Sequence, residues 1–174
     1  SEENLSRMIQ LVVRRYAAGP REALRQIPEP GAPIDYPEVG VYHPKIKTGI
    51  SADLAALPKK AQSSKGSDGT VGLLLMRSYA LAGNSSHYDA VIQALELRGL
   101  RVIPAFAAGL DARPAVHRFF MEDDVPIVDA VVSLTGFSLV GGPAYNDTDA
   151  AQELLKSLGV PYLAVQALEF QSLE

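Results

Sequence analysis

The turn from Arg77 to Tyr88 places several polar side chains at the predicted start of a helix. Asn84, Ser85 and Ser86 precede His87 there. Helix amides with Ser or Asn side chains beside them can hold a carboxylate or a phosphate. A neutral imidazole can accept a proton or ligate a metal in transit, so His87 is the candidate catalytic residue. Helix capping alone explains the Asn and Ser residues equally well, and a lone histidine often has a structural role.

A second turn, Ser133 to Ala144, is apolar and rich in glycine. It lacks the Lys followed by Ser or Thr of a phosphate-binding loop, so ATP binding by this chain is unsupported. We expect Phe137, Leu139 and Val140 to be exposed and the backbone to approach a flat hydrophobic ligand closely. Packing against a neighbouring domain fits the same residues equally well. A third turn, Ala107 to Asp111, has small residues and a possible Asp cap.

The remaining titratable residues form no recognisable catalytic or metal-binding set. The chain has no cysteine, which excludes a disulfide, a thiolate nucleophile and a cysteine-ligated metal. No second His or Glu has ligand spacing beside His87, so we predict no metal site. We expect His43 and His117 to be packed or at the surface. Paired carboxylates, a nucleophile elbow and a dinucleotide fingerprint are missing.

Composition is typical of one ordinary domain and excludes some partners. The 174 residues are 47% hydrophobic, and 16 basic against 20 acidic residues give a net charge of −4. No broad cationic surface is expected, so nucleic acid is not a predicted partner. The longest apolar runs are about half of the ~20 residues of a transmembrane helix, so no transmembrane segment is predicted. Both ends of the sequence are interpreted as internal to a longer chain.

The spacing of apolar residues and the turn residues predict two parts. Residues 1–69 are an amphipathic helix followed by a Pro/Gly-rich connector, with one helix around Ser51 to Lys60 and a polar linker from Gln62 to Gly69. Residues 70–174 are a sheet domain of alternating strands and helices. The predicted strands are Val71–Met76, Arg101–Phe106, Ala130–Leu134 and Pro161–Val165, and the predicted helices are His87–Arg98, Arg113–Met121 and Asp147–Leu158.

This alternation predicts an α/β fold, a doubly wound, flavodoxin-like or Rossmann-like parallel sheet of about four strands with flanking helices. Pro104 suggests that the second strand ends there or lies at an edge. We expect the third strand to be the most central. Loops at the carboxyl ends of parallel strands share one edge, so the Asn84 to His87 and Gly136 to Gly142 turns should face the same side.

Several segments resemble the large subunit of magnesium chelatase over most of Pro37 to Gln171. They are Pro37–Pro44, Met76–Ser78, Ser86–Tyr88, Glu96–Gly99, Val102–Phe106, Val131–Ala144 and Val160–Tyr162. Val131–Ala144 is the most specific. Tyr79 stands where the plant and cyanobacterial form has His, and Ala108 replaces a Gly. These differences suggest the form of a bacterium that makes bacteriochlorophyll.

The resemblance implies a ligase-type activity for the whole subunit and inactivity for the isolated fragment. The subunit would bind protoporphyrin IX and receive Mg²⁺ as a substrate, while two smaller ATPase-type subunits bind ATP and drive insertion. The rest of the large subunit would be a further partner. The location would be the bacterial cytoplasm, or the plastid stroma in a plant or alga. We expect the main catalytic acids outside this chain, with Glu169 and Glu174 near its end.

The two turns and the resemblance together assign His87 as catalytic and a set of residues as substrate-binding. That set is Arg77, Asn84, Ser85, Ser86, Thr135, Gly136, Phe137, Gly141 and Gly142. Three alternatives stay open: a fragment of a cobaltochelatase-type large subunit, a structural module for docking between domains, and an independent small enzyme or sugar-phosphate binder.

Overall fold

The computed structural model describes residues 1–59, 68–142 and 144–166. The helices are α1 (Glu2–Tyr16), α2 (Arg77–Ala82), α3 (Ser86–Glu96), α4 (Arg113–Phe119) and α5 (Thr148–Leu158), with 3-10 helices at Gly19–Gln26 and Leu54–Ala56. The strands are β1 (Val39–Tyr42), β2 (Ile50–Ser51), β3 (Thr70–Met76), β4 (Arg101–Ala107), β5 (Met121–Glu122), β6 (Val125–Pro126), β7 (Ala130–Ser133), β8 (Gly141–Gly142), β9 (Tyr145–Asn146) and β10 (Tyr162–Ala164).

The predicted fold class is confirmed, because the central sheet is mostly parallel and helices cover it. Its strand order is β10-β7-β3-β4-β1-β2, and the four predicted strands pair in parallel. The sheet has six strands instead of about four, since β1 pairs antiparallel with β4 and β2 pairs antiparallel with β1. Both added strands come from the predicted connector. The division of the chain at residue 69 stays a prediction.

The helix predicted around Ser51 to Lys60 is replaced, in its described part, by the 3-10 helix Leu54–Ala56. Asp53 begins that turn, and its side chain accepts a hydrogen bond from the Ala55 amide. Residues 60–67 lie outside the described residues, and so does most of the predicted Gln62 to Gly69 linker. Lys59 is the one described residue of this segment in an α-helical conformation.

Two expectations about strand position were wrong. The third predicted strand, β7, is second from an edge, and β3 and β4 occupy the centre. Pro104 lies inside β4, opposite Leu73 of β3. The Ala108 amide donates to the Glu38 carbonyl, on the side of β4 that faces β1. Amide directions alternate along a strand, so the backbone nitrogen of Pro104, which has no hydrogen to donate, also faces β1. The pairing of β1 with β4 ends at Val41 and Ala105. Pro104 thus shortens only the pairing of β4 with β1.

Alternating residues of the central strands bury two separate cores. On one face, Leu74 and Ile103 join a cluster with residues of α4 and α5 such as Val116 and Leu158. On the other face, Leu73 and Leu75 join a cluster with residues of α3 such as Ile92. Each fully buried side chain of this size contributes roughly 1.5–3 kcal/mol by leaving water. Burial on both faces explains the nearly continuous apolar strands.

Helix α1 has the predicted amphipathic pattern but leaves its apolar side exposed. Leu5, Met8, Ile9, Val12 and Tyr16 are each about half exposed or more. We call these five residues the α1 stripe. The polar face makes the contacts instead, since Asn4 exchanges hydrogen bonds with the Ile34 backbone and Arg14 donates to the Ile27 carbonyl. No helix among the described residues is both long and apolar enough to cross a membrane.

Candidate functional site

The two predicted ligand-binding turns leave the same edge of the sheet, as expected. Strands β3 and β7 are parallel neighbours with Leu74 opposite Ser133, and the Leu134 amide donates to the Leu74 carbonyl at 2.9 Å. Strand β4 ends at the same edge because it is parallel to β3. The turns after all three strands therefore surround one surface, which is where ligands gather in open parallel sheets.

The first turn is largely helical. Helix α2 follows β3 directly and ends at Gly83, whose φ of +73° is a left-handed conformation that suits glycine. Ser85 then occupies the N-cap position of α3, but its side chain makes no capping hydrogen bond. Its hydroxyl lies 2.7 Å from that of Tyr42 instead. Asn84 and Ser86 are exposed to solvent.

His87 is half-buried in an aromatic cluster. Its ring centroid lies 5.7 Å from that of Tyr79, nearly perpendicular to it, and 3.9 Å from that of Tyr88. The buried Tyr88 hydroxyl accepts a hydrogen bond from the Met76 amide at 3.1 Å. The imidazole is thus placed by aromatic packing near the end of β3. Within the described part of the chain, no three or more His, Cys, Asp or Glu side chains gather in a way that could hold a metal.

An open groove of about 800 Å³ lies over the carboxyl ends of β3 and β4. We call it the edge groove. It is lined by Ser1, Glu2, Leu5, Met76, Arg77, Ser78, Leu81, Ala82, Ala107, Ala108, Gly109 and Leu110. Its volume falls within the ~300–1,000 Å³ range of small-molecule sites, and most of its lining is apolar or small. Of the predicted site residues only Arg77 lines it, and His87, Asn84, Ser85 and Ser86 do not.

Arg77 is held by the chain segment that precedes β1. Its Nε donates to the Pro37 carbonyl at 2.8 Å, and its Nη2 donates to the Tyr36 carbonyl at 3.0 Å. Among the described residues, no carboxylate lies within 4.0 Å of its guanidinium. Within the described part of the chain, no ion pair thus neutralises the positive charge that Arg77 brings to the edge groove.

The second turn is folded onto the turn after β4. Leu139 and Val140 are 4% and 5% exposed, so their predicted exposure was wrong, whereas Phe137 is 37% exposed. The Leu139 carbonyl accepts from the Ala112 amide, and the Gly141 amide donates to the Leu110 carbonyl, each at 2.8 Å. These bonds draw the turn into the core. Asp111 accepts from the Arg113 amide at 2.9 Å, but the N-cap of α4 is Ala112, so Asp111 does not cap the helix as predicted.

A smaller cleft separates these two turns and contains two of the predicted ligand-binding residues. Thr135 and Phe137 line it together with Met76, Leu110 and Asp111. The Thr135 hydroxyl accepts from the Phe137 amide at 3.3 Å, which fixes the turn locally. The cleft and the edge groove share Met76 and Leu110, and thus lie side by side along the edge.

The glycines of the second turn approach the chain itself. Gly136 has a φ of +71°. Gly141 and Gly142 form a hairpin with Tyr145 and Asn146, and a Cβ on Gly141 would overlap the Tyr145 carbonyl. A Cβ on Gly142 would meet the end of the Leu110 side chain. The sequence predicts a close approach at these glycines, and in the structure they approach other residues of the same chain. A role in ligand binding stays a prediction.

Sequence reasoning missed a buried polar group that supports the first turn. The Tyr42 hydroxyl donates to the Asp89 carboxylate at 2.5 Å. Burial, followed by the hydrogen bond to Asp89, raises the pKa of Tyr42 to about 12. Spacing could not reveal this contact, since the residues are 47 positions apart. The only signal was the hydroxyl on an otherwise apolar strand.

His43 is buried and is fixed by two neighbours. Its Nδ1 accepts from the Lys45 amide at 3.1 Å, so we assign the proton to Nε2, which lies 3.2 Å from the Glu96 carboxylate. His117 is exposed on α4. Both findings match the packed or surface roles expected of these residues. Glu169 and Glu174 lie outside the described residues.

Known proteins share both the sequence and the fold. The magnesium-chelatase large (H) subunit of Cereibacter sphaeroides is 53% identical over 173 residues, which is 99% of this chain and 14% of that protein. The corresponding protein of Rhodobacter capsulatus is 50% identical over 173 residues, again 99% of this chain and 14% of that protein. The chain thus spans 14% of the length of these curated relatives.

A solved structure shows the same fold at lower identity. The catalytic subunit of cobaltochelatase from Mycobacterium tuberculosis matches with a TM-score of 0.52 and 22% identity, over 94% of this chain and 14% of that one. The model of the CobN/Magnesium Chelatase family matches residues 1–174. Because that match spans the chain and the two magnesium-chelatase relatives align with nearly all of it, the chain belongs to the CobN/Magnesium Chelatase family.

Proposed function

We propose that this chain is a segment of a magnesium chelatase large subunit, and that its edge groove forms part of the surface holding protoporphyrin IX during Mg²⁺ insertion. The observation that carries the assignment is 53% identity to the magnesium-chelatase protein of Cereibacter sphaeroides across 99% of the chain. Identity to the solved cobaltochelatase subunit is 22%, so cobalt insertion is the weaker alternative. The groove supplies a volume suited to a small molecule at the expected edge of the sheet.

The chemistry of insertion divides naturally between this segment and the rest of the enzyme. Hydrated Mg²⁺ releases its waters reluctantly, and two pyrrole protons must leave the macrocycle. The edge groove offers apolar contact for the ring through Met76, Leu81 and Leu110. His87, near the same edge, would accept a proton. The remaining acids belong to the rest of the large subunit, and two smaller ATPase-type subunits bind the ATP that drives insertion.

The same proposal gives the setting in which the segment works. The partners are the rest of the large subunit and the two smaller subunits, and the location is the bacterial cytoplasm or, in a plant or alga, the plastid stroma. Mg²⁺ enters as a substrate. No resident metal ion is proposed for this segment.

Filling the groove tests the porphyrin proposal directly. Ala108 is exposed and lines the groove, so Ala108→Trp places a large ring in the space without disturbing the core. In the full-length subunit we expect the Kd for protoporphyrin, followed by absorbance, to rise at least about tenfold, or 1.4 kcal/mol. Ala90→Trp, at an exposed position of α3, is the matched control and should leave the Kd unchanged. Equal affinities in a folded Ala108→Trp variant would exclude the edge groove as the porphyrin site.

The role of His87 is tested separately from binding. His87→Ala in the full-length subunit should lower the rate of Mg²⁺ insertion by about 10²-fold if the imidazole accepts a proton, with porphyrin affinity little changed. Tyr79→Phe keeps the ring that packs against His87 and serves as a control for the aromatic cluster. Unchanged insertion in His87→Ala would remove this residue from the site.

Docking between domains is the second candidate function, and the α1 stripe favours it. Helix α1 has no buried residue, although its apolar residues share one side. The rest of the large subunit is the proposed cover for this stripe. Ile9→Glu should then lower the Tm of the full-length subunit by several degrees, since a charge would enter an apolar interface. Gln10→Glu, one position away on the exposed polar side, is the control, and equal Tm values would argue against docking.

A further inference from the structure

We propose that Arg77 binds a carboxylate of the ligand in the edge groove and thereby sets which edge of the macrocycle faces helix α2. This inference rests on the proposed function and adds an orientation to it. The ligand class is a flat, apolar molecule with a carboxylate at one edge, which describes a porphyrin with propionate groups.

The backbone contacts of Arg77 occupy one of the two carboxylate-binding edges of its guanidinium and leave the other available. A guanidinium has five N–H donors, and the Nε and Nη2 protons form one side of it. That side is the one occupied by the carbonyls of Pro37 and Tyr36. The end formed by Nη1 and the second Nη2 proton is the other edge that can bind a carboxylate in a bidentate way. The two carbonyl contacts thus fix the orientation of the guanidinium before a ligand binds.

The position of Arg77 is set by the sheet. It follows Met76, the last residue of β3, and it is the first residue of α2. β3 is hydrogen-bonded on both sides, to β4 and β7. The base of the side chain is therefore fixed by a central strand of the sheet, which reduces the ordering cost of binding.

The charges of the edge groove favour an anionic group at this end. Among the described residues that line the groove, Arg77 is the one cationic side chain and Glu2 of α1 is the one anionic side chain. No carboxylate among the described residues lies within 4.0 Å of Arg77. Glu2 would repel a propionate, so the carboxylate edge should lie toward α2 and away from the first turn of α1. Leu81 and Leu110 supply apolar contact beside it.

Comparing a porphyrin acid with its ester tests this orientation. The full-length subunit is titrated with protoporphyrin IX and with its dimethyl ester, which has no carboxylate, in the same detergent buffer. We expect the wild-type subunit to bind the acid at least about tenfold more tightly. Arg77→Gln should lower acid affinity by about that factor while ester affinity stays the same. Arg77→Lys, which keeps the charge and loses the fork, should give an intermediate preference.

Glu2→Gln is the matched control of opposite sign. It removes the anionic side chain of the same groove, so acid affinity should stay equal or rise up to about threefold. Loss of acid affinity in this variant would contradict the assigned direction of the carboxylate. The Tm of each variant is measured alongside, and if Arg77→Gln does not fold, the acid-to-ester ratio of Arg77→Lys decides.

The possible failures are distinguishable. If Arg77→Gln weakens the acid and the ester equally, Arg77 acts only by holding residues 36 and 37, and the inference is overturned. If both porphyrins bind and Ala108→Trp blocks both, but every Arg77 variant keeps the wild-type ratio, the groove assignment survives and the carboxylate contact fails. If the wild-type subunit binds neither porphyrin, the proposed function itself fails.

Discussion

The Tyr42 hydroxyl donates a hydrogen bond to the Asp89 carboxylate at 2.5 Å and thereby joins strand β1 to helix α3. Tyr42 is 4% exposed, and its hydroxyl also lies 2.7 Å from that of Ser85. The position at which α3 begins therefore depends on a strand that precedes the parallel sheet in the chain. Through Ser85 and Asp89, the contact holds the segment that contains His87.

Removing the Tyr42 hydroxyl should destabilise the chain. Tyr42→Phe leaves the buried side of Asp89 without its donor, which costs about 1–3 kcal/mol. Urea unfolding followed by circular dichroism measures the change. Tyr145→Phe removes the same hydroxyl at a position that is 70% exposed, and it should change stability by less than about 0.5 kcal/mol. Equal stability of the two variants would show that the Tyr42 bond contributes nothing.

Alkaline pH should reveal the same group through its ionisation. Burial, followed by the Asp89 bond, raises the pKa of Tyr42 from 10.0 to about 12 in the folded chain. The folded state thus keeps the proton longer than the unfolded state does. The stabilisation is complete below pH 10 and is lost as the pH rises through about 12, with a total of roughly 1–3 kcal/mol.

The measurement is the unfolding free energy from pH 9 to pH 12 in the wild-type chain and in Tyr42→Phe. The wild-type value should fall more steeply because Phe cannot ionise. Parallel curves for the two proteins would mean that Tyr42 titrates at the same pH in the folded and unfolded states. That result would contradict the buried environment assigned to Tyr42.

The central strands were predictable because burial on both faces leaves a strong local signal. Val71–Met76 is a nearly unbroken apolar run, and it became the middle of the sheet. Gly159 likewise ended a helix at the expected place. These features depend on residues close together in sequence.

The rest of the site depends on contacts that are distant in sequence. Leu139 and Val140 looked exposed because their turn is rich in glycine, yet bonds to Ala112 and Leu110 bury them. Strand β2 has two residues, too few to show any alternation. The carbonyls that hold Arg77 belong to residues 40 and 41 positions away, so no local sequence pattern predicts these contacts.

Adjacent glycines in the β8–β9 hairpin should tolerate alanine to different degrees. At Gly141 the φ is +119°, and an added Cβ would overlap the Tyr145 carbonyl and lie 2.7 Å from the Asn146 Cα. Backbone must move to relieve that overlap. Gly141→Ala should therefore cost about 2–4 kcal/mol.

Gly142→Ala is the natural comparison because only the end of the Leu110 side chain obstructs it. That side chain can rotate, so the cost should be about 1 kcal/mol or less. Thermal unfolding of both variants measures the difference. A larger loss for Gly142→Ala would indicate that Leu110 cannot move and that the groove wall it forms is rigid.

The β5–β6 hairpin contains a turn whose second residue, Asp124, does not suit its backbone. Asp123 and Asp124 connect the strands with φ values of +48° and +61°. Two consecutive positive φ values in a two-residue hairpin turn are typical of type I′, which prefers Asn or Asp followed by Gly. The double variant Asp123→Asn with Asp124→Gly should thus raise stability by roughly 0.5–1 kcal/mol, after allowing for the entropy that glycine loses on folding.

Charge must be separated from backbone preference in that test. The double variant also removes two carboxylates beside Glu122, and less repulsion would stabilise the hairpin too. Glu122→Gln relieves part of this repulsion at an extended position and leaves the turn unchanged. Unfolding at low and at high salt distinguishes the causes, because salt screens repulsion but not backbone strain. The gain of the double variant should persist at about 1 M salt, whereas any gain of Glu122→Gln should disappear. A gain that vanishes for both would assign the effect to charge and leave the turn geometry without a measurable cost.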